Sequence, residues 1–262
     1  MSVVAKVCGL RAACALALVA TLAAACGDAR PGDATTRVLA SASLTRAFGE
    51  LVAAYEAAHP GASLELHTAG TPRLVLQLRE GAPAAVLATA DRASAQRVVE
   101  SGRALGAPTV FATNRLAVIA RDASVADLAD LARDDLVVLL CGPEVPAGRY
   151  ARAALAAAGV AVRSASDEPS VSAVVAKVRL GEADAGVVYT TDAAAVAGEL
   201  HGFAIEGEAA PRIEYPLLLL DGAEGDPHAA GFADFVRSAA GAAILEAHGF
   251  SAVGASGRGD DA

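Results

Sequence analysis

With 262 residues, the chain is long enough to bury one large core or two smaller ones. A net charge of −9, with no basic stripe, argues against a nucleic-acid partner. The composition is 54% hydrophobic and the mean hydropathy +0.43, but alanine supplies much of this and the one long apolar run is N-terminal, which argues against a membrane-spanning protein.

That run, Ala12 to Ala25, is shorter than the roughly 20 residues of a spanning helix. Lys6 and Arg11 supply a positive start, and small residues lead to Cys26, so residues 1–25 read as a secretory signal peptide. "LAAA" before Cys26 and Gly27 resembles a bacterial lipobox, with Ala23 where Leu is usual. Acylation would make Cys26 the first mature residue and anchor the protein to a membrane by its lipid, with residues 26–35 as lipidated cysteine and flexible tether. Cys8 and Cys14 leave with the signal; with Cys26 acylated, Cys141 is the only thiol left and no intramolecular disulfide is expected. Cys141, after the apolar run "LVVLL", reads as a small buried hydrophobe.

Strands and helices then alternate. "RVLAS" reads as a strand, followed by a helix with Leu44, Phe48, Leu51, Val52 and Tyr55 on one face. "ASLELHT" is a strand, "TPRLVLQLREG" a helix with a Gly stop, "AAVLATA" a buried strand and "SAQRVVESG" a helix. "RLAVIA", "LVVLL", "AVRSA", "AGVVYT" and "IEYPLLLL" are strands. "VADLADLAR", "AGRYARAALAAAG" and "SVSAVVAKVRLG" are helices between them, and two helices marked by Phe232, Phe235, Val236, Ile244 and Leu245 close the chain. The alternation predicts an α/β architecture of mainly parallel sheets, with more strands than one small sheet holds and hence two lobes. Residues 253–262 are expected to be disordered.

Four strand-to-helix junctions carry small or polar residues, around Ser43, Thr71, Ala147 and Val171. Each taken alone reads as an ordinary helix start, with Ser or Thr capping and Pro at the first position. Pointed together at one cleft, the same helix ends form an anion site built from N–H groups and hydroxyls without charged side chains. Other chemistry has little support. The five histidines (His59, His67, His201, His228, His248) have no metal-ligand spacing, with His59 and His248 reading as solvent-exposed helix-end residues. There is no G-x-S-x-G elbow, Walker A or G-x-G-x-x-G motif, and Asp91 and Asp192 read as caps.

The order of motifs resembles the periplasmic molybdate-binding proteins of ABC transporters. It rests on "ASASLTRAF", "AGTPRLVLQLREGAPA", "TADRASAQRVVESG", "GPEVPAGRYARAAL", "GVVYTTDA", "EYPLLLL" and "LEAHGF", from about Val38 to Phe250. The resemblance implies a two-lobed periplasmic-binding fold of type II with two hinge crossovers. Lobe one would comprise residues 36–117 plus 212–252, and lobe two residues 118–211. It also implies a molybdate or tungstate site formed by Ser43, Thr71, Ala147, Val171 and Tyr189. Molybdenum would be held only as the oxyanion, with no cofactor and no catalysis. The implied partners are the oxyanion and the permease subunits of an ABC transporter, and a monomer is expected outside the cytoplasm. This chain departs from the family at Pro72, where a second Ser is common, and at Ala85, where Asp is usual; Arg73 beside the turn reads as a solvated helix residue. The competing readings are the same fold holding sulfate, phosphate or a small organic acid, a secreted hydrolase, and an anchored sensor or adhesin.

Overall fold

The structure, a computed structural model, describes residues 35–207 and 210–253. The expected signal peptide, Cys26, and residues 254–262 of the expected tail lie outside the described residues, as does the tether up to residue 34.

Strand β1 (Thr36–Ser41) is buried on both faces, which explains its continuous apolar run. Val38 and Ala40 point into the larger core, and Leu39 into a smaller one with Leu74, Leu78 and Leu87. A 3-10 turn (Ala42–Leu44) leads into helix α1 (Thr45–Ala58), which buries Phe48, Leu51, Val52 and Tyr55 as its periodicity predicts. Phe48 meets Phe111 and Phe232 edge-on, with ring centroids 5.7 and 6.2 Å apart.

Strands β2 (Leu64–Ala69) and β3 (Val86–Ala88) flank β1 in parallel, each reached through a helix or on to one: α2 (Thr71–Arg79) follows β2 and α3 (Arg92–Glu100) follows β3. β4 (Thr109–Asn114) ends this part, and Arg115 alone separates it from β5 (Leu116–Ala120) of a second sheet. That sheet continues with β6 (Val138–Cys141), helix α4 (Pro146–Ala157), β7 (Asp167–Glu168) and helix α5 (Val171–Leu180). β8 (Ala185–Tyr189), helix α6 (Thr190–Ala195) and β9 (His201–Ala204) complete it. The chain returns to the first sheet as β10 (Ile213–Leu219), followed by helices α7 (Ala229–Val236) and α8 (Ala239–Ala247) and the short β11 (Ser251–Ala252).

The strand orders are β11-β4-β10-β3-β1-β2 and β7-β6-β8-β5-β9. Both sheets are mixed rather than mainly parallel. The pairs β1–β2, β1–β3, β6–β7 and β6–β8 are parallel; those made by β4, β5 and β10, and by the edge strands β9 and β11, are antiparallel. β4, β5, β9 and β10 are the strands that border the two passages of the chain between the sheets.

Two expected elements differ. "VADLADLAR" yields only a 3-10 turn, Leu128–Ala132, because the Asp127 and Asp130 carboxylates take up the backbone N–H groups of Ala126, Asp127 and Ala129. "AVRSA" forms no strand, since none of residues 161–165 is buried; pairing begins two residues later, where Glu168 is. Cys141 is free and buried, and burial pushes its thiol up to about 12. Among the described residues, no helix is long and apolar enough to cross a membrane.

Candidate functional site

The five residues singled out from sequence all follow the carboxyl ends of parallel strands, where ligand crevices form in α/β folds. Ser43 lies in the 3-10 turn after β1, Thr71 is the first residue of α2 after β2, and Ala147 is the second of α4 after β6. Val171 opens α5 after β7, and Tyr189 ends β8. The structure brings all five to one cavity of ≈ 20 Å³ between the two sheets. Ser41, Ala42, Gly70 and Ala90 complete its wall from the first sheet, and Val145, Pro146 and Ser170 from the second. Among the described residues, no charged side chain lines it.

Helix geometry accounts for the chemistry on offer. The first N–H groups of a helix have no partner within it. Ala147 and Val171 sit at such positions, while intrahelical bonding begins at Arg149 in α4 and at Ala173 in α5. Ser170, the N-cap of α5, accepts from Ala173 N through its Oγ at 3.3 Å, as a capping serine does. Two glycines permit the close approach. A Cβ at Gly148 would overlap the Cys141 and Gly142 carbonyls, so glycine lets the start of α4 rest on the end of β6. A Cβ at Gly70 would overlap the Pro169 carbonyl, where the loops of the two sheets meet.

The hydroxyls are arranged in two groups. Ser41 Oγ lies 2.6 Å from Thr71 Oγ1 and 3.3 Å from the Ala88 carbonyl, either of which can accept its proton. Ser43 Oγ lies 3.1 Å from the Tyr215 hydroxyl, which in turn receives the Asn114 amide at 3.4 Å. Tyr189 differs from all of these. Its ring is buried, and its hydroxyl has no hydrogen-bond partner among the described residues. Burial raises both phenols, Tyr189 and Tyr215, well above the ordinary tyrosine range, so both stay protonated. Tyr189 therefore presents a donor with nothing to donate to.

Thr45 is structural, its hydroxyl donating to the Ala42 carbonyl at 2.8 Å. Ser41 is bonded structurally and also lines the cavity, which its place as the last residue of β1 signals. Tyr215, which holds Ser43, carries no sequence signal beyond its strand, and Asn114, which holds Tyr215, ends a strand that the sequence reading does not include. Asp91 caps α3 through Ser94 N at 2.7 Å, as expected. It also pairs with Arg149 of α4, across from the other sheet. Asp192 is the third residue of α6 rather than its cap, and accepts Tyr189 N at 3.1 Å. His59 is exposed as expected, but His248 is not: its ring is 15% exposed and meets Glu50 at 2.9 Å. Arg73 is exposed. Among the described residues, no three His, Cys, Asp or Glu side chains cluster as metal ligands do.

Comparison with known proteins fits this geometry. The family model of bacterial extracellular solute-binding proteins matches residues 36–251. The molybdate-binding protein ModA of Mycobacterium tuberculosis is 35% identical over 246 residues, covering 89% of this chain and 94% of its own. Among solved structures, the periplasmic molybdate-binding protein of Azotobacter vinelandii superposes with a TM-score of 0.73 at 18% identity, over 82% of this chain and 98% of that one. The sulfate-binding protein SubI of M. tuberculosis gives 0.71 at 15% identity, over 84% and 87%. These two likenesses show a shared periplasmic-binding fold. By the match over both sheets, the chain belongs to the bacterial extracellular solute-binding protein family.

Proposed function

We propose that the protein captures molybdate, and tungstate by the same chemistry, outside the cytoplasm and delivers it to the permease of an ABC transporter. The observation that carries this reading is the buried, unpartnered Tyr189 hydroxyl facing a cavity ringed by helix N-termini and hydroxyls. Such a wall offers donors and no charge, which suits a fully deprotonated tetrahedral dianion. Ser43, Thr71 and Tyr189 would donate hydroxyls and Ala147 and Val171 backbone N–H groups. The 35% identity to a protein named for molybdate supports the choice of ligand.

A cavity of ≈ 20 Å³ holds little more than one water-sized centre, so a four-oxygen anion gains access only if the sheets part and close again. The proposed lobes, residues 36–117 with 212–252 and residues 118–211, would move about the two crossovers. The ligand favours closure because it bonds both. Dipoles without lysines also let it go again at the transporter. The reading is binding without turnover: the partner of Ser43 is a phenol kept protonated by burial, which is no general base. We further propose a lipid anchor at Cys26 and a monomeric state.

A second reading, sulfate in the same cleft, is kept by the fold shared with SubI. Molybdate and tungstate have longer metal–oxygen bonds than the sulfur–oxygen bonds of sulfate, so rigid donors spaced for one serve the other poorly. Calorimetric titration with molybdate, tungstate, sulfate and phosphate tests the choice. Heat with the first two is expected. Heat with sulfate alone selects the second reading, and none with any anion sinks both.

A further inference from the structure

Asn114 lies at the point where the chain leaves the first sheet, and its amide orientation is fixed. Its Oδ1 accepts from Arg115 N at 2.8 Å, and a backbone N–H can only donate. The Thr190 hydroxyl donates to the same oxygen at 2.7 Å. The amide nitrogen must then face the other way, donating to Thr191 Oγ1 at 2.9 Å and to the Tyr215 hydroxyl at 3.4 Å.

The direction carries forward. Tyr215 is fully buried and accepts from Asn114, and among the described residues the oxygen within reach of its own proton is Ser43 Oγ at 3.1 Å, a contact in which either hydroxyl could donate. A hydroxyl that accepts from Tyr215 has its single proton left for the cavity. We propose that Asn114 and Tyr215 are positioning residues that form a one-way hydrogen-bond relay, Asn114 to Tyr215 to Ser43, making Ser43 an obligate donor to the bound anion. The Ser41–Thr71 pair lacks this direction. Its shared proton can run either way, because Ser41 has the Ala88 carbonyl as a second acceptor. The relay also ties the site to the crossover, since Asn114 holds Thr190 and Thr191 at the start of α6. The Tyr215 ring is held by Phe250 at 5.3 Å and Phe111 at 6.4 Å, so removing its hydroxyl leaves the packing in place.

This rests on the oxyanion reading, and a double-mutant cycle separates the two. Molybdate affinity is measured by calorimetry for Tyr215→Phe alone and in a Ser43→Ala background. The relay predicts a loss of about tenfold with Ser43 present and less than about twofold without it. Asn114→Asp, an isostere that accepts where the amide donated, turns the Tyr215 proton back and should weaken binding more in the Ser43 protein than in Ser43→Ala. Its added charge acts equally in both. Equal losses in the two backgrounds would reduce Tyr215 and Asn114 to a packing role and overturn the relay, leaving the oxyanion site standing. Wild-type protein that binds no oxyanion would overturn both.

Discussion

Tyr189 carries opposing demands. A buried hydroxyl without a partner costs roughly 1–3 kcal/mol, and the same group is a ready donor for an anion. Tyr189→Phe should therefore raise the melting temperature of the ligand-free protein and lower molybdate affinity by about 1–3 kcal/mol, whereas a purely structural tyrosine would lose on both counts. Asp192 sets a pH dependence. Burial pushes its carboxyl from 3.8 up to about 7. Between those values the folded protein holds a proton that the unfolded chain has released, so this group stabilises the fold at acid pH and the contribution is lost as pH rises through about 7. Asp192→Asn, which can still accept from Tyr189 N, should gain stability relative to wild type as pH goes from 5 to about 8. A constant difference across that range in urea titrations would contradict the shift. From sequence, Ser43 stands out as a hydroxyl at a helix start and Tyr189 only through the family resemblance. Tyr215 and Asn114 do not stand out, because Ser43 and Tyr215 are 172 residues apart and only the fold makes them neighbours.

The helices were legible where their apolar faces are complete. α1 and α5 follow their periodicity, with Ser170 and Gly181 marking the ends of the latter. Segments with little to bury misled: residues 161–165 alternate like a strand yet lie exposed or half-exposed. β9 and α6 carry too few buried residues to stand out, with Phe203 only half-buried. Helix starts provide a clean test of backbone donors. Val171 is the first residue of α5, a position that tolerates proline, and Ser170 before it is extended, at φ −164° and ψ 160°, as proline requires. Val171→Pro should keep the helix while deleting one N–H. Unchanged helicity by circular dichroism with affinity lower by about 1–3 kcal/mol is the expected result. Unchanged affinity would remove Val171 from the site.

The proposed opening of the cleft would have a cost beyond the ligand's own bonds. The buried Asp91 at the start of the first sheet's α3 meets Arg149 of the second sheet's α4, and parting the sheets would break the pair. Losing Arg149 leaves a buried carboxylate unpaired and favours the open form. Arg149→Ala should therefore speed molybdate release in stopped-flow measurements; an unchanged off-rate would mean that the pair does not hold the cleft. The net charge of −9 acts at longer range. It repels a dianion until salt screens it beyond about 8–10 Å, so the on-rate should rise with ionic strength, and a fall would contradict this. At this scale the α/β alternation foretells two sheets but not β4, β9 and β11 or the antiparallel pairing, since Arg115, the one-residue link between the sheets, reads as the start of the strand that follows it. The most direct test of the whole account is a crystal grown with tungstate and measured at a tungsten absorption edge. One anomalous peak is expected between the sheets, its oxygens within about 3.2 Å of Ser43 Oγ, Thr71 Oγ1, Tyr189 OH and the N–H groups of Ala147 and Val171. A peak elsewhere, or none in protein that binds tungstate in solution, would contradict it.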